Sequence, residues 1–150
     1  MVTSVSDESP VVNPFFAPST LPFGMPPFAE IRDEHYREAF DAGMAEQLSE
    51  TNAITMARSM PTFENTMLPL ERSGQLLNRV ATVFYNKTSA DSTPFTDALE
   101  EELAPILAAH ADTIQLDSAL FWRIDQLHQQ LDTLGLDAES RYLVERYHAE

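Results

Sequence analysis

Four histidines and their neighbouring carboxylates are the residues best suited to metal or acid–base chemistry: His35, His110, His128 and His148. Two of them stand one helical turn from a glutamate, in His35-Tyr-Arg-Glu38 and in Glu145-Arg-Tyr-His148. Glu-x-x-His is part of the ligand set of a di-iron bundle, which needs two such motifs and two further inward glutamates. Only one motif has that order, so we interpret these residues as solvated helix surface and keep the di-iron bundle as a minor alternative.

The sequence lacks the residue patterns of the common catalytic sites. It contains no His-Glu-x-x-His, the motif that places two zinc-binding imidazoles and a general base on one helix face. It has no cysteine, which excludes disulfides, thiolate zinc sites and a cysteine nucleophile. Its four glycines form neither a nucleophile elbow nor a phosphate loop. We therefore predict no catalytic, cofactor-binding or metal-binding residue in this chain.

Charge provides the next constraint on function. The net charge is −15, and so acidic a surface repels phosphate, which disfavours nucleic acids and anionic membranes as partners. The run Glu100-Glu101-Glu102 is expected to face solvent. Six arginines are expected to form ion pairs between helices, with substrate anchoring as the alternative: Arg58, Arg72, Arg79, Arg123, Arg141 and Arg146.

The amino-terminal thirty residues differ from the rest of the chain. Residues 1–12 are small, polar and acidic, and are predicted to form a disordered tail. Residues 13–30 combine five prolines with four phenylalanines, which indicates an extended arm anchored by aromatic side chains. At least two of Phe15, Phe16 and Phe23 should be buried. The start shows no secretory signal and no run long enough to span a bilayer, so a cytoplasmic protein is expected.

Residues 31–150 carry helical signals throughout, and the length suits about one domain. We predict an all-α fold of about five antiparallel helices. The expected N-caps are Asp33, Thr62, Thr93, Asp117 and Asp137.

Prolines, a glycine and the apolar spacing predict where these helices kink and end. A second helix has Leu70, Leu77, Val80 and Phe84 on one face, with Pro69 kinking it or lying in its first turn. Pro105 should kink the third helix or end it early. The fourth helix should run to Gly135. The fifth reaches Glu150 without a stop signal, which predicts a domain cut within its last helix.

The order of short motifs adds a resemblance that periodicity does not give. The motifs are Asn13-Pro14, Leu21-Pro22, Phe28, His35-Tyr36, Ala39-Phe40, Pro61-Thr-Phe-Glu-Asn-Thr66, Leu70-Glu-Arg-Ser-Gly74, Leu76-Leu77, Arg79-Val80, Leu120-Phe121, Arg123, Leu134-Gly-Leu-Asp137 and Glu139-Ser140. In this order they resemble the amino-terminal part of the thimet-oligopeptidase family of zinc metallopeptidases, most of all its peptidyl-dipeptidase branch.

The resemblance implies a larger, helical, two-lobed peptidase with a channel between the lobes. Its zinc site would lie in a carboxy-terminal catalytic half, and no residue of this chain matches a family zinc ligand or general base. The implied reaction is the release of C-terminal dipeptides from short peptides, and this chain would be a non-catalytic cap of the channel.

A self-standing helical interaction module, without catalysis, remains the alternative. If the chain is part of a larger protein, some of its apolar surface would lack the partner that covers it. We expect Phe121 and Trp122 to project from the fourth helix, and Tyr142 and Tyr147 from the fifth. The isolated chain should then self-associate or unfold with low cooperativity.

Overall fold

The computed structural model of this chain describes residues 12–150, so the predicted tail over residues 1–11 lies outside the described residues. The predicted all-α fold is confirmed, since no strand occurs in that range and five helices contain 12 residues or more. The helices are α1 (Asp33–Thr55), α2 (Leu68–Arg72), α3 (Gln75–Asp91), α4 (Pro94–Gln115), α5 (Ser118–Gln129) and α6 (Ala138–Ala149). Between residues 12 and 150, no helix has the length and apolar character needed to cross a membrane.

Side-chain caps set most helix starts where the sequence predicts them. Thr62 begins a π-helical turn at Phe63–Met67, and Thr93, Asp117 and Asp137 each accept a hydrogen bond from the first turn of the next helix. Asp33 is an exception, because it is the first residue of α1 and the N-cap is Arg32. The Arg32 backbone N–H donates to Nδ1 of His35 over 2.9 Å, so the histidine closes this helix start.

The predicted second helix is broken at Gly74, which corrects the single apolar face drawn from Leu70 to Phe84. Gly74 has a φ of 74°, and its N–H donates to Glu50 over 2.7 Å. A Cβ there would also lie 2.5 Å from the Gln47 amide nitrogen, so only glycine fits this left-handed position. Leu70 consequently packs in a different core from Phe84.

One of the two alternatives predicted for Pro105, an early helix end, does not occur, and the predicted end of the fourth helix is wrong. Pro105 does not end α4, which continues to Gln115. Proline removes one N–H bond, here to the carbonyl of residue 101, and Glu101 is exposed so that water can replace it. Helix α5 ends at Gln129 rather than near Gly135, because tighter turns follow, yet Leu131 stays buried. The apolar stripe therefore continues past the end of the helix, which is why the sequence predicted a longer helix.

Two hydrophobic cores organise the molecule, and α1 contributes to both. The first lies between α1, α3, α4 and the arm; its largest members are Phe15, Tyr36, Phe40, Phe84 and Leu103. The second lies between the end of α1, the π-helical turn, α2, α5 and α6; its members include Ile54, Met67, Leu70, Ile124, Leu127 and Val144. Gly43 permits the close approach of α1 to α3, since a Cβ there would lie 2.8 Å from the Leu77 backbone.

The arm is anchored by one phenylalanine, so the prediction of at least two buried rings is wrong. Phe15 is 2% exposed, whereas Phe16 is 44% exposed and Phe23 fully exposed. The single turn Pro14–Phe16 directs only its middle ring into the core, where Phe15 lies 5.7 Å from Tyr36. Polar contacts complete the anchor, because Asn13 Nδ2 donates to the His35 carbonyl over 2.9 Å.

Candidate functional site

One cavity in the described part of the chain is a groove between the two cores, with a volume of about 380 Å³. Its walls come from α1, α2, α3, α4, α5 and α6. Aliphatic and aromatic side chains form most of the lining: Leu70, Leu77, Leu107, Ala111, Ile114, Leu120, Phe121 and Ile124. A cleft of this size and character suits an apolar segment or small ligand.

One polar part of the groove is a histidine–glutamine pair. His110 on α4 is buried, and its Nε2 lies 2.7 Å from Oε1 of Gln47 on α1. Burial lowers the pKa of His110, so the imidazole is held neutral near physiological pH. Because the amide oxygen of Gln47 accepts, Nε2 is the donor in this pair, which joins α4 to α1 across 63 residues of sequence.

A second polar cluster joins α6 to α2. The Tyr147 hydroxyl donates to Oε1 of Glu71 over 2.5 Å, and Nη2 of Arg146 donates to the same oxygen over 3.1 Å. Burial, reinforced by the Glu71 carboxylate, raises the pKa of Tyr147 to about 12. Tyr147 therefore remains a protonated donor, and the cluster fixes the last helix against the second core.

Each of these polar groups is engaged in a contact within the chain. A nucleophile needs a base within hydrogen-bond reach, but the Ser73 hydroxyl in the groove donates to the Leu70 carbonyl over 2.7 Å. His110 pairs with a neutral amide, and Tyr147 is engaged by Glu71. Within residues 12–150, no group of three or more His, Asp or Glu side chains is arranged to hold a metal ion.

The first histidine–glutamate motif serves the arm. Nδ1 of His35 accepts from Arg32, and the His35 carbonyl accepts from Asn13. Glu38 accepts from the same Asn13 amide over 3.1 Å. Both residues are thus engaged in holding the arm on α1, and neither faces the groove.

The second motif is separated into two unrelated contacts. Glu145 forms an ion pair with Arg141 at 3.3 Å, whereas Nε2 of His148 lies 3.0 Å from Oδ1 of Asp125 on α5. The His148 ring is also stacked on His128, with ring centroids 3.8 Å apart. The sequence did not indicate this stacked pair, because the two rings come from different helices.

The six arginines follow the ion-pair prediction only in part. Arg146 pairs with Glu71 between helices, and Arg141 pairs with Asp132 at 2.9 Å and with Glu145. Arg58, Arg72 and Arg79 have no carboxylate within 4 Å in residues 12–150. Of the predicted acidic run, Glu101 and Glu102 are exposed and Glu100 is half-buried.

The chain as a whole is similar to known proteins. No family model matches it. It is 44% identical over 137 residues, 91% of its length, to dipeptidyl carboxypeptidase of Escherichia coli strain K12. It is equally 44% identical over 136 residues to dipeptidyl carboxypeptidase of Salmonella typhimurium. The predicted resemblance is confirmed. The chain spans only a fifth of the length of either dipeptidyl carboxypeptidase.

The ion pair predicted for Arg123 is wrong, because this arginine is buried among neutral acceptors. Arg123 on α5 is 2% exposed, and it donates to the carbonyls of Ala57 and Ser59, to Asn65 and to Thr66 over 3.0–3.2 Å. All four acceptors are neutral, and burial lowers the pKa of the guanidinium. The position of Arg123 within the apolar stripe of α5, between Leu120 and Leu127, was the available signal.

Proposed function

We propose that this chain is a non-catalytic helical part of a zinc-dependent peptidyl-dipeptidase, which releases dipeptides from the C-termini of short peptides. The observation that carries the proposal is the 44% identity to E. coli dipeptidyl carboxypeptidase over 137 residues. The zinc site, the general base and the peptide would then belong to a catalytic part outside this sequence. This chain would wall and cap the substrate channel.

The groove supports a packing role within such an enzyme. Its lining is mainly apolar, and four of its polar groups form two pairs, His110 with Gln47 and Tyr147 with Glu71. Paired groups cannot act as acid, base or nucleophile without giving up the contacts that hold α4 and α6. The exposed rings of Phe121, Trp122 and Tyr142 on α5 and α6 add a surface suited to a second polypeptide.

A segment exchange tests the proposal directly. The part of E. coli dipeptidyl carboxypeptidase that aligns with this chain is replaced by residues 13–150, and dipeptide release from a short peptide is measured. We expect the chimera to retain activity within about tenfold of the parent, since a fold preserved at 44% identity should present the same packing surface. A matched chimera carrying Trp122→Gln and Tyr142→Gln should lose part of that activity.

The competing interaction-module hypothesis predicts the opposite result. A chimera that folds, binds zinc and yet releases no dipeptide would contradict the cap role. The reading frame beyond the codon for Glu150 gives an independent test. Continuation into His-Glu-x-x-His supports the peptidase, whereas a natural stop codon supports a self-standing module.

The isolated chain should bind no stoichiometric zinc and release no dipeptide. A catalytic zinc site needs three protein ligands, and the sequence offers no such set. Elemental analysis after dialysis, together with a peptide-release assay, measures both properties. About one tightly bound zinc or iron per chain would contradict the proposal and favour the di-iron bundle.

A further inference from the structure

A second cavity lies beneath the proline-rich arm, and it shares no lining residue with the groove. Its volume is about 260 Å³. Four of its nine lining residues are prolines of the arm: Pro14, Pro18, Pro26 and Pro27. Because each proline ring fixes φ, this wall is already ordered before any ligand arrives.

The loop that closes the cavity is held by its own hydrogen bonds. The Ser19 hydroxyl donates to the Met25 carbonyl and accepts from the Leu21 N–H over 3.2 Å. The turn between these residues places Phe23 at a φ of 59°, a left-handed conformation that is costly for a non-glycine residue. The Phe23 ring is fully exposed, so packing of the ring does not explain the strained turn.

The one charged residue in the wall is Arg79 of α3. Its Nη2 donates to the Phe15 carbonyl over 2.6 Å, which fixes the guanidinium at the edge of the arm. Phe15 is the only acceptor that Arg79 reaches in the described part of the chain, so four of its five N–H donors are unused. Its Nε is buried without a hydrogen-bond partner, a rare condition in folded proteins.

Arg79 differs from the other arginines without a counter-ion in lining a cavity with an unpartnered, buried Nε. Arg37, Arg141 and Arg146 each contact at least one carboxylate. Arg79, in contrast, has no carboxylate within 4 Å among residues 12–150, although the sequence carries 24 acidic residues. The cavity therefore combines apolar walls with one cation that the described structure does not neutralise.

We propose that this cavity binds a small carboxylate with an apolar body, whose carboxylate pairs with the Arg79 guanidinium. Guanidinium groups pair with carboxylates and phosphates through parallel hydrogen bonds. A carboxylate fits better here, since Arg79 is the only charged residue in the wall and no second cation faces the further negative charge of a phosphate. The volume lies below the roughly 300–1,000 Å³ of sites for drug-sized ligands, which indicates a ligand near the size of one capped amino acid.

The proposal goes beyond the function proposed above and does not depend on it. The test is a titration of the whole ¹⁵N-labelled chain with N-acetyl-L-leucine, followed by the amide signals of Ala17, Gly24 and Arg79. The neutral N-acetyl-L-leucinamide and inorganic phosphate serve as matched probes. We expect saturable shifts with the acid in the millimolar range, and at least tenfold weaker binding of both other probes.

Two variants sharpen the assignment to Arg79. Arg79→Gln should weaken binding of the acid at least tenfold, whereas Arg72→Gln, an exposed arginine outside both cavities, should leave it unchanged. The comparison of the acid with its amide needs no variant, so it decides the matter even if Arg79→Gln fails to fold. Equal binding of acid and amide, tighter binding of phosphate, or no saturable shift would overturn the proposal.

A last variant distinguishes a free acid from the chain's own carboxylates. In Asp7→Asn/Glu8→Gln the tail loses two acidic groups. Unchanged affinity for N-acetyl-L-leucine supports a small-molecule site. Affinity several-fold higher than in the parent would mean that the tail competes for Arg79, and would overturn the small-molecule assignment.

Discussion

The two cores of this protein differ in the types of side chain that they contain. The first is rich in aromatic rings, with the edge of Phe84 set against Tyr36 and Phe40 at centroid distances of 5.1 and 5.4 Å. The second is mainly aliphatic, and a buried arginine, Arg123, secures its border with the 57–66 segment. The first core is also covered by the arm, whereas helices α5 and α6 of the second expose three large rings.

The two cores also differ in how they meet the surface. Ring packing and the arm cover much of the first core, although Tyr85 on α3 and Phe95 on α4 remain exposed. The second core meets the groove and the exposed face of α5 and α6, where a further polypeptide would add contacts. Helix α1 joins the halves, because Tyr36 and Phe40 lie in the first core and Ile54 in the second.

Removing the central ring of the first core should have the largest effect. Phe84 is fully buried, so Phe84→Ala should reduce the free energy of unfolding by about 3–5 kcal/mol through lost burial and a new cavity. Urea unfolding is followed by far-UV circular dichroism and by fluorescence of Trp122, the only tryptophan, which reports on α5. If α1 couples the cores, both signals should shift together.

The matched control is Phe95→Ala on α4, where the ring is half exposed and the loss should stay near 0.5 kcal/mol. Separate midpoints for the two signals in Phe84→Ala would show that the second core unfolds independently. That result would contradict coupling through α1 and would sharpen the distinction between the halves.

The second core should depend on Arg123 to a lesser degree. Arg123→Met keeps much of the side-chain volume but leaves the buried Thr66 hydroxyl and neighbouring acceptors unpaired. We expect a loss of about 2 kcal/mol, since each buried polar group without a partner costs roughly 1–3 kcal/mol. Thermal and urea unfolding measure it, and Arg72→Met on the surface should change stability by less than about 0.5 kcal/mol. Equal losses in the two variants would contradict the role of Arg123.

Most of the helices could be predicted from sequence, because their starts are local. Thr93 and Asp117 cap helices through side-chain hydrogen bonds to residues two or three positions away. The ends were harder to predict, as at α5, where Leu131 remains buried after the helix has ended. Periodicity reports burial, and burial does not require helical geometry.

The candidate sites could be predicted far less well, because their contacts are distant in sequence. His110 meets Gln47 across 63 residues and Arg79 meets Phe15 across 64. No spacing rule encodes such pairs. The arm shows the same limit, since composition indicated aromatic anchors but could not tell the buried Phe15 from the exposed Phe16.

The exposed rings of α5 and α6 predict self-association of the isolated chain. Trp122 is 48% exposed and Tyr142 is 63% exposed, as expected from the sequence, whereas Tyr147 is partly buried against Glu71. Light scattering at increasing concentration should show a rising mean mass despite the net charge of −15. Trp122→Gln/Tyr142→Gln should reduce it, and Tyr85→Gln on α3 should not. A monomer that unfolds sharply at high concentration would favour the self-standing module.

The smallest effect on the free energy of unfolding should come from protonation of His110. Burial lowers the pKa of His110 in the folded state below its ordinary value near 6.5. Above that pH the imidazole is neutral in both the folded and the unfolded state, so it does not make the free energy of unfolding depend on pH. As the pH falls through that ordinary pKa, the unfolded chain takes up a proton that the folded chain binds less readily, so the free energy of unfolding decreases.

The variant His110→Gln cannot take up this proton, and urea unfolding at pH 7.5 and 5.5 should show a smaller decrease than in the parent chain. The two proteins are identical in the rest of their sequence, so the difference in the decrease reports on His110. An equal decrease in both would show that the groove does not shield this imidazole from water.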